Sequence, residues 1–187
     1  MRSHRYLRSI VGLLSVYLIT SPASTHAQHH AAEPCTAENP ALFDRVAVSP
    51  VLEPVIQKLL ERSPTFRAQC RRIIEAPHLQ LVIRLTTSAH PFPVRATVRR
   101  SPVGTLDARI DLTKVPSQYA EWLGHELEHV IEHLDGVNIQ QQARGNNEAR
   151  ELRPGLFETR RATKIGGRVA DEFKSRRPPV VGTTASR

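Results

Sequence analysis

Aromatic residues make up only 5% of this 187-residue chain, cysteine occurs twice, and methionine and tryptophan occur once each. With so few rings, and none interleaved with its basic runs, the chain lacks the stacking platform that single-stranded nucleic acid requires. No nucleic-acid partner is expected. Cys35 and Cys70 stand alone rather than in CxxC pairs, which argues against a thiolate zinc site. The even count still permits one bridge, tying an N-terminal arm to the first helical region. Long apolar runs are missing too. The most hydrophobic stretch, Ile10–Ile19, is well short of the roughly 20 residues needed to span a bilayer.

That stretch has the make-up of a secretory signal instead. Arg2, Arg5 and Arg8 precede it, and the small-residue segment Ser21–Ala27 follows, with cleavage expected after Ala27 and Ala23 as a second choice. Residues 1–27 are therefore expected to be a signal peptide. The mature protein would be periplasmic or secreted, with no stable membrane insertion after cleavage, in a compartment that favours a disulfide. The three arginines account for three of the formal charges in +8, leaving +5 spread along the rest of the chain. Scattered basic residues of this kind are ordinarily solvated faces.

The remainder divides by composition. Residues 28–48 read as an arm, 49–174 as a domain and 175–187 as a disordered tail. Ser49-Pro50 and Ser63-Pro64 are helix openings, each followed by apolar residues at helical spacing, to about Arg62 and Ala76. Three segments then alternate with period two, around Leu79–Leu85, Val94–Val98 and Leu106–Leu112. Their succession predicts an antiparallel three-stranded meander. A helix from Pro116-Ser117 to Leu134 follows. Gln140–Glu151 is polar and reads as a loop or frayed helix, and Phe157–Phe173 as a last helix. The expected class is α+β, with the meander packed on the Leu134 helix and further helices at both ends.

The chemistry concentrates in His125-Glu126-Leu127-Glu128-His129. Residues four apart lie one above the other on a helix, so His125 and His129 can offer two imidazoles to one ion. Glu126 then sits beside them as a general base for a metal-activated water. The same five residues also satisfy the inverted order His-x-x-Glu-His, and on a helical wheel Glu126 and Glu128 flank the histidine direction about equally. Glu126 is favoured because the strand leading into the helix, Thr105–Leu112, supplies an edge for a substrate strand. His133 continues the stripe as a surface histidine or as a hydrogen-bond donor to an oxyanion.

A catalytic zinc takes three protein ligands, and several carboxylates compete for the third place. Glu158, on the last helical stretch, has the best placement; Glu148 and Glu151 are its rivals. Asp135 has the spacing of an extended motif, but Glu132 stands where that motif needs a helix-breaking glycine.

With these features the segment Leu79–Val169 resembles the gluzincin branch of the zincin metallopeptidases. The resemblance implies zinc held by His125, His129 and Glu158, Glu126 as general base, and a peptide or protein substrate. It also implies a hydrolase. The match departs at Ala162, where the branch commonly has an aspartate that orients a histidine. Glu132, Asp135 or a backbone carbonyl would have to take that place. The alternative to a peptidase is a zinc-binding, catalytically weak structural or interaction protein.

Overall fold

The computed structural model describes residues 35–36, 41–87, 93–113, 116–145 and 148–175. The expected signal peptide, most of the expected arm and nearly all of the expected tail lie outside these residues.

Leu42–Arg45 forms one helical turn, α1, and runs into a short strand, β1, Val46–Val48. A 3₁₀ turn at Pro50–Leu52 then opens α2, Glu53–Arg62, followed directly by α3, Pro64–Ile74. Ser63 separates the two helices. Its hydroxyl accepts the Phe66 amide at 3.0 Å, an N-cap bond that satisfies one of the orphan donors of α3. Three strands follow: β2, Leu79–Leu85; β3, Val94–Arg100; and β4, Leu106–Leu112. The long helix α4 is Tyr119–Leu134, and α5 is Ile139–Gly145. Ala149–Arg153 and Leu156–Thr159 are β5 and β6, and Arg160–Lys174 is α6.

The class is α+β as expected, but the sheet is not a meander. Its four strands are ordered β1-β2-β4-β3. β4 lies between its two predecessors, parallel to β2 with Leu79 opposite Leu106, and antiparallel to β3 with Val94 opposite Leu112. The composition of the strands explains the order. β4 buries Leu106, Ala108, Ile110 and Leu112 on one face, whereas β3 carries Arg95, Arg99 and Arg100 and suits an edge, where charge discourages pairing with other chains. The edge strand of the sheet beside α4 is therefore β3 rather than Thr105–Leu112.

The arm also ends earlier than its composition indicates. β1 pairs in parallel with β2 from Val46 opposite Leu81, and Leu42 and Val46 are buried. Apolar side chains at these positions are withdrawn from water into the same core as α2 and α3. Of the expected loop or frayed helix, Gln140–Glu151, the first part is helical, in α5, and residues 149–151 open a β-hairpin whose second strand takes the start of the expected Phe157–Phe173 helix. The hairpin turns through Pro154-Gly155 with Gly155 at φ 75°, a conformation that glycine adopts without strain.

α4 is the central element, touching β3, β4, α2, α3 and α6. Leu123, Leu127, Val130 and Ile131 are buried along it. A carboxylate joins the outer helices: Glu172 of α6 accepts from the Ser63 hydroxyl at 2.5 Å, the Thr65 amide at 3.0 Å and the Thr65 hydroxyl at 2.7 Å. The start of α3 is a favourable place for that negative charge.

Cys35 and Cys70 are both buried and form a disulfide across a sequence separation of 35. A crosslink of that span restricts the unfolded chain, which corresponds to about 2–4 kcal/mol. The double substitution Cys35→Ala, Cys70→Ala is expected to lower unfolding free energy by about that amount. Chemical denaturation of the variant beside oxidised wild type measures it.

Candidate metal centre

Two helices set the positions of the candidate metal-ligating side chains, and they approach through glycine. A Cβ on Gly166 of α6 would stand 2.8 Å from His125 Cβ and 2.9 Å from the Glu121 carbonyl oxygen. A Cβ on Gly124 would stand 2.8 Å from two side-chain atoms of Val169. Neither distance accommodates a carbon atom without movement of backbone or a β-branched side chain, so each helix has a glycine where the other presses closest. The approach brings the beginning of α6, and with it the end of β6, alongside the N-terminal half of the histidine pair.

Glu158 reaches the histidines from there. It belongs to β6 rather than to the final helix, two residues before α6 begins. Thr159 accounts for the change of structure: it is extended and its hydroxyl accepts the Ala162 amide at 3.0 Å, capping the new helix. His125 Nε2 lies 3.4 Å from Glu158 Oε1. Ligand atoms of His125, His129 and Glu158 all fall within 4.8 Å of one another. Two imidazoles and a carboxylate so converged form a group that can hold a metal ion.

The competing carboxylates have other work. Asp135 accepts from Arg161 Nη1 at 2.9 Å and pairs with Arg72. Glu151 closes the hairpin turn by accepting the Gly155 amide at 2.8 Å. Glu148 is about half exposed and lies 4.0 Å from Arg160. None joins the cluster among the described residues.

The two orders of the motif are also separated by their surroundings. Glu128 is buried away from the cluster, where its oxygens accept from Arg161 Nε at 2.6 Å and Gln69 Nε2 at 2.8 Å. The same Gln69 nitrogen donates to the Gly124 carbonyl at 2.7 Å. Glu126 instead faces a cleft of about 460 Å³ shared with His125, His129, His133 and Glu158. Its Oε2 accepts the Ala96 amide of β3 at 2.5 Å.

Electrostatics follow from this crowding. Burial alone would lower the pKa of His125, but the neighbouring Glu158, Glu126 and Glu132 carboxylates outweigh it and hold the pKa above its ordinary value. Burial raises the pKa of Glu126 against the pull of His129, His125 and the Ala96 amide. For Glu158 the opposing effects resolve the other way: burial raises its pKa, and His125, Thr163 and His129 together bring it below the usual carboxylate value. Burial, reinforced by the positive potential of His129, lowers the pKa of His133 and favours its neutral ring.

Several contributors have weaker signatures in the sequence. Gln69, far upstream, carries no motif at all. Gly166 lies in Gly166-Gly167, which resembles a helix weakness until the opposing helix is known. The hairpin that delivers Glu158 was marked by Pro154-Gly155, a turn-forming pair. Glu132 is the most buried polar side chain on α4, at 2% exposure, and lies 3.0 Å from His129 Nδ1. No protein-family model matches this chain, and no curated protein or solved structure is detectably similar to it.

The two adjacent glycines of α6 are expected to respond oppositely to alanine. Gly167 has nothing within 4 Å of an added Cβ, so Gly167→Ala should stabilise by about 0.5–1 kcal/mol through helix preference. Gly166→Ala gains the same preference but collides with α4, and a net loss of about 1–3 kcal/mol is expected from overpacking. Thermal or denaturant unfolding of the two variants distinguishes these signs.

Proposed function

We propose that this protein is an exported zinc-dependent peptidase of zincin type, which hydrolyses peptide bonds in a peptide or protein substrate with Glu126 as general base. The observation that carries this reading is the convergence of His125, His129 and Glu158 at one place in a cleft that also contains Glu126. A donor set of two nitrogens and one carboxylate oxygen suits zinc and leaves coordination positions for water or substrate. Zinc, when bound, supplies the Lewis acidity that makes water nucleophilic near neutral pH.

The chain's own residues account for the remaining requirements. In β3, the odd-numbered residues make the paired hydrogen bonds to β4, as the flanking bonds from Thr113 N to Pro93 O and from Ser101 N to Thr105 O establish, each at 2.8 Å. The backbone groups of Val94, Ala96 and Val98 therefore point away from β4. These residues line the cleft; with the Ala96 amide taken by Glu126, the groups of Val94 and Val98 and the Ala96 carbonyl are left to receive an extended peptide as an added strand. On the other side of the cleft, Leu152, Leu156 and Phe157 of the hairpin provide apolar contacts.

With Oε2 of Glu126 held by the Ala96 amide, Oε1 takes a proton from the attacking water. The oxygen of that water bonds to the peptide carbonyl carbon, the carbon–nitrogen bond breaks, and Glu126 passes the proton to the departing nitrogen. The products are a carboxylate and an amine. A raised pKa at Glu126 suits this exchange, because a base works best when its pKa approaches the operating pH. His133 lies in the same cleft and is able to donate a hydrogen bond to the developing oxyanion.

Purified mature protein should retain about one zinc per chain through desalting, and His129→Ala or Glu158→Ala should lose it. Elemental analysis reads this directly. In digestion of unstructured casein or a peptide library, Glu126→Gln should retain zinc and lose at least ~10²-fold in rate. Retained zinc with equal inactivity of wild type and Glu126→Gln would leave a metal-binding, catalytically inert protein and refute the peptidase reading.

A further inference from the structure

Glu132 is a buried carboxylate that the hydrolytic steps leave unused. Removing such a group from water costs several kcal/mol unless hydrogen bonds compensate it. Among the described residues the only hydrogen-bond partner of its side chain is His129, through Nδ1. The two residues are three apart on α4, so a single rigid backbone segment fixes both ends of the contact. No loop or second helix has to arrive for it to form.

An ionised carboxylate only accepts hydrogen bonds, which requires the proton of the neutral His129 ring to reside on Nδ1. The lone pair then resides on Nε2. Because Nδ1 is engaged with Glu132, Nε2 is the nitrogen of His129 left for the cluster with His125 and Glu158. The contact therefore selects both the ring orientation and the tautomer that an ion needs. His125 has a different arrangement, since the contact recorded for its Nε2 is with the ligand candidate Glu158 itself.

We propose that Glu132 is a positioning residue, which holds His129 as the Nδ1–H tautomer and presents Nε2 to a divalent transition-metal ion. This inference rests on the metal-binding part of the function proposed above and is independent of whether the protein cleaves peptides. Asp135, one turn nearer the helix end, does not share the role because it is committed to Arg161 and Arg72.

The test uses full-length mature protein with two substitutions. Glu132→Leu removes the acceptor with a side chain of similar volume, and Glu132→Gln keeps a neutral acceptor at the same reach. Zinc affinity is measured by competition with a chromophoric chelator. The His129 tautomer is read in the metal-free protein from long-range proton–nitrogen NMR of the imidazoles. Glu132→Leu is expected to weaken zinc binding about 10–100-fold and to raise the fraction of the Nε2–H form. Glu132→Gln should restore much of both properties. Should the leucine variant fail to fold, Glu132→Asp carries the same test: its shorter side chain withdraws the acceptor, and its affinity should fall below that of Glu132→Gln.

A folded leucine variant with either wild-type zinc affinity or the wild-type tautomer overturns the positioning role while leaving the metal site standing. In the aspartate version, an affinity equal to or above that of Glu132→Gln does the same. If wild type itself binds no zinc, the metal reading and this inference fail together. A merely structural role would lower the melting temperature without moving affinity or tautomer, which distinguishes it from positioning.

Discussion

The site depends on how closely α4 and α6 approach. Glu158 is fixed by the residues that precede α6, and the two histidines by α4, so the distance between these candidate ligands is set by helix packing. Gly124 and Gly166 allow that packing because neither places a carbon between the backbones. Glycine within a helix sacrifices about 0.5–1 kcal/mol of intrinsic stability relative to alanine. Here that local loss is exchanged for a ligand distance that no side chain at Gly166 would permit. Glu172, bound to the start of α3 by three hydrogen bonds, ties the far end of α6 to the same body.

α4 then distributes its buried polar groups among separate partners. Glu126 meets the β3 amide, Glu128 meets Arg161 and Gln69, His129 meets Glu132, and His125 meets Glu158. Uncompensated, such groups would oppose folding. Each partner comes from a different place: an edge strand, the outer helices, α4 itself and the hairpin. The arrangement keeps the carboxylates from competing for one cation and gives the two glutamates of the motif opposite duties. Arg161 is important for this division, because it draws Glu128 and Asp135 together on the side away from the cleft.

The sequence carried α2, α3, α4 and the histidine pair clearly, because period and spacing within one helix are local properties. It carried Glu158 as a leading choice by residue type and chain distance, although Glu158 stands on a strand where a helix was expected. The pairing of the sheet was less legible. Alternation identifies a strand but does not say which neighbour it takes, and β2, β3 and β4 alternate alike. Arginine density in β3 was the available sign of an edge. The choice between Glu126 and Glu128 was undetermined from a helical wheel for a related reason: it depends on Arg161 and Gln69, which lie 33 and 59 residues away from Glu128.

The position of β3 at the edge has a further physical consequence. An exposed edge strand offers unpaired amides and carbonyls to any extended chain and is ordinarily a hazard. β3 divides this exposure by parity. Its odd positions bond to β4, and its even positions turn their backbone groups away from it, the Ala96 amide to Glu126. Arg99 and Arg100 stand at one end of the strand, and Val94, Arg95, Ala96, Thr97 and Val98 line the cleft beside the histidines. Because the Ala96 amide is held by Glu126, the same strand also fixes the carboxylate beside the histidines, so edge geometry and the placement of Glu126 are one constraint.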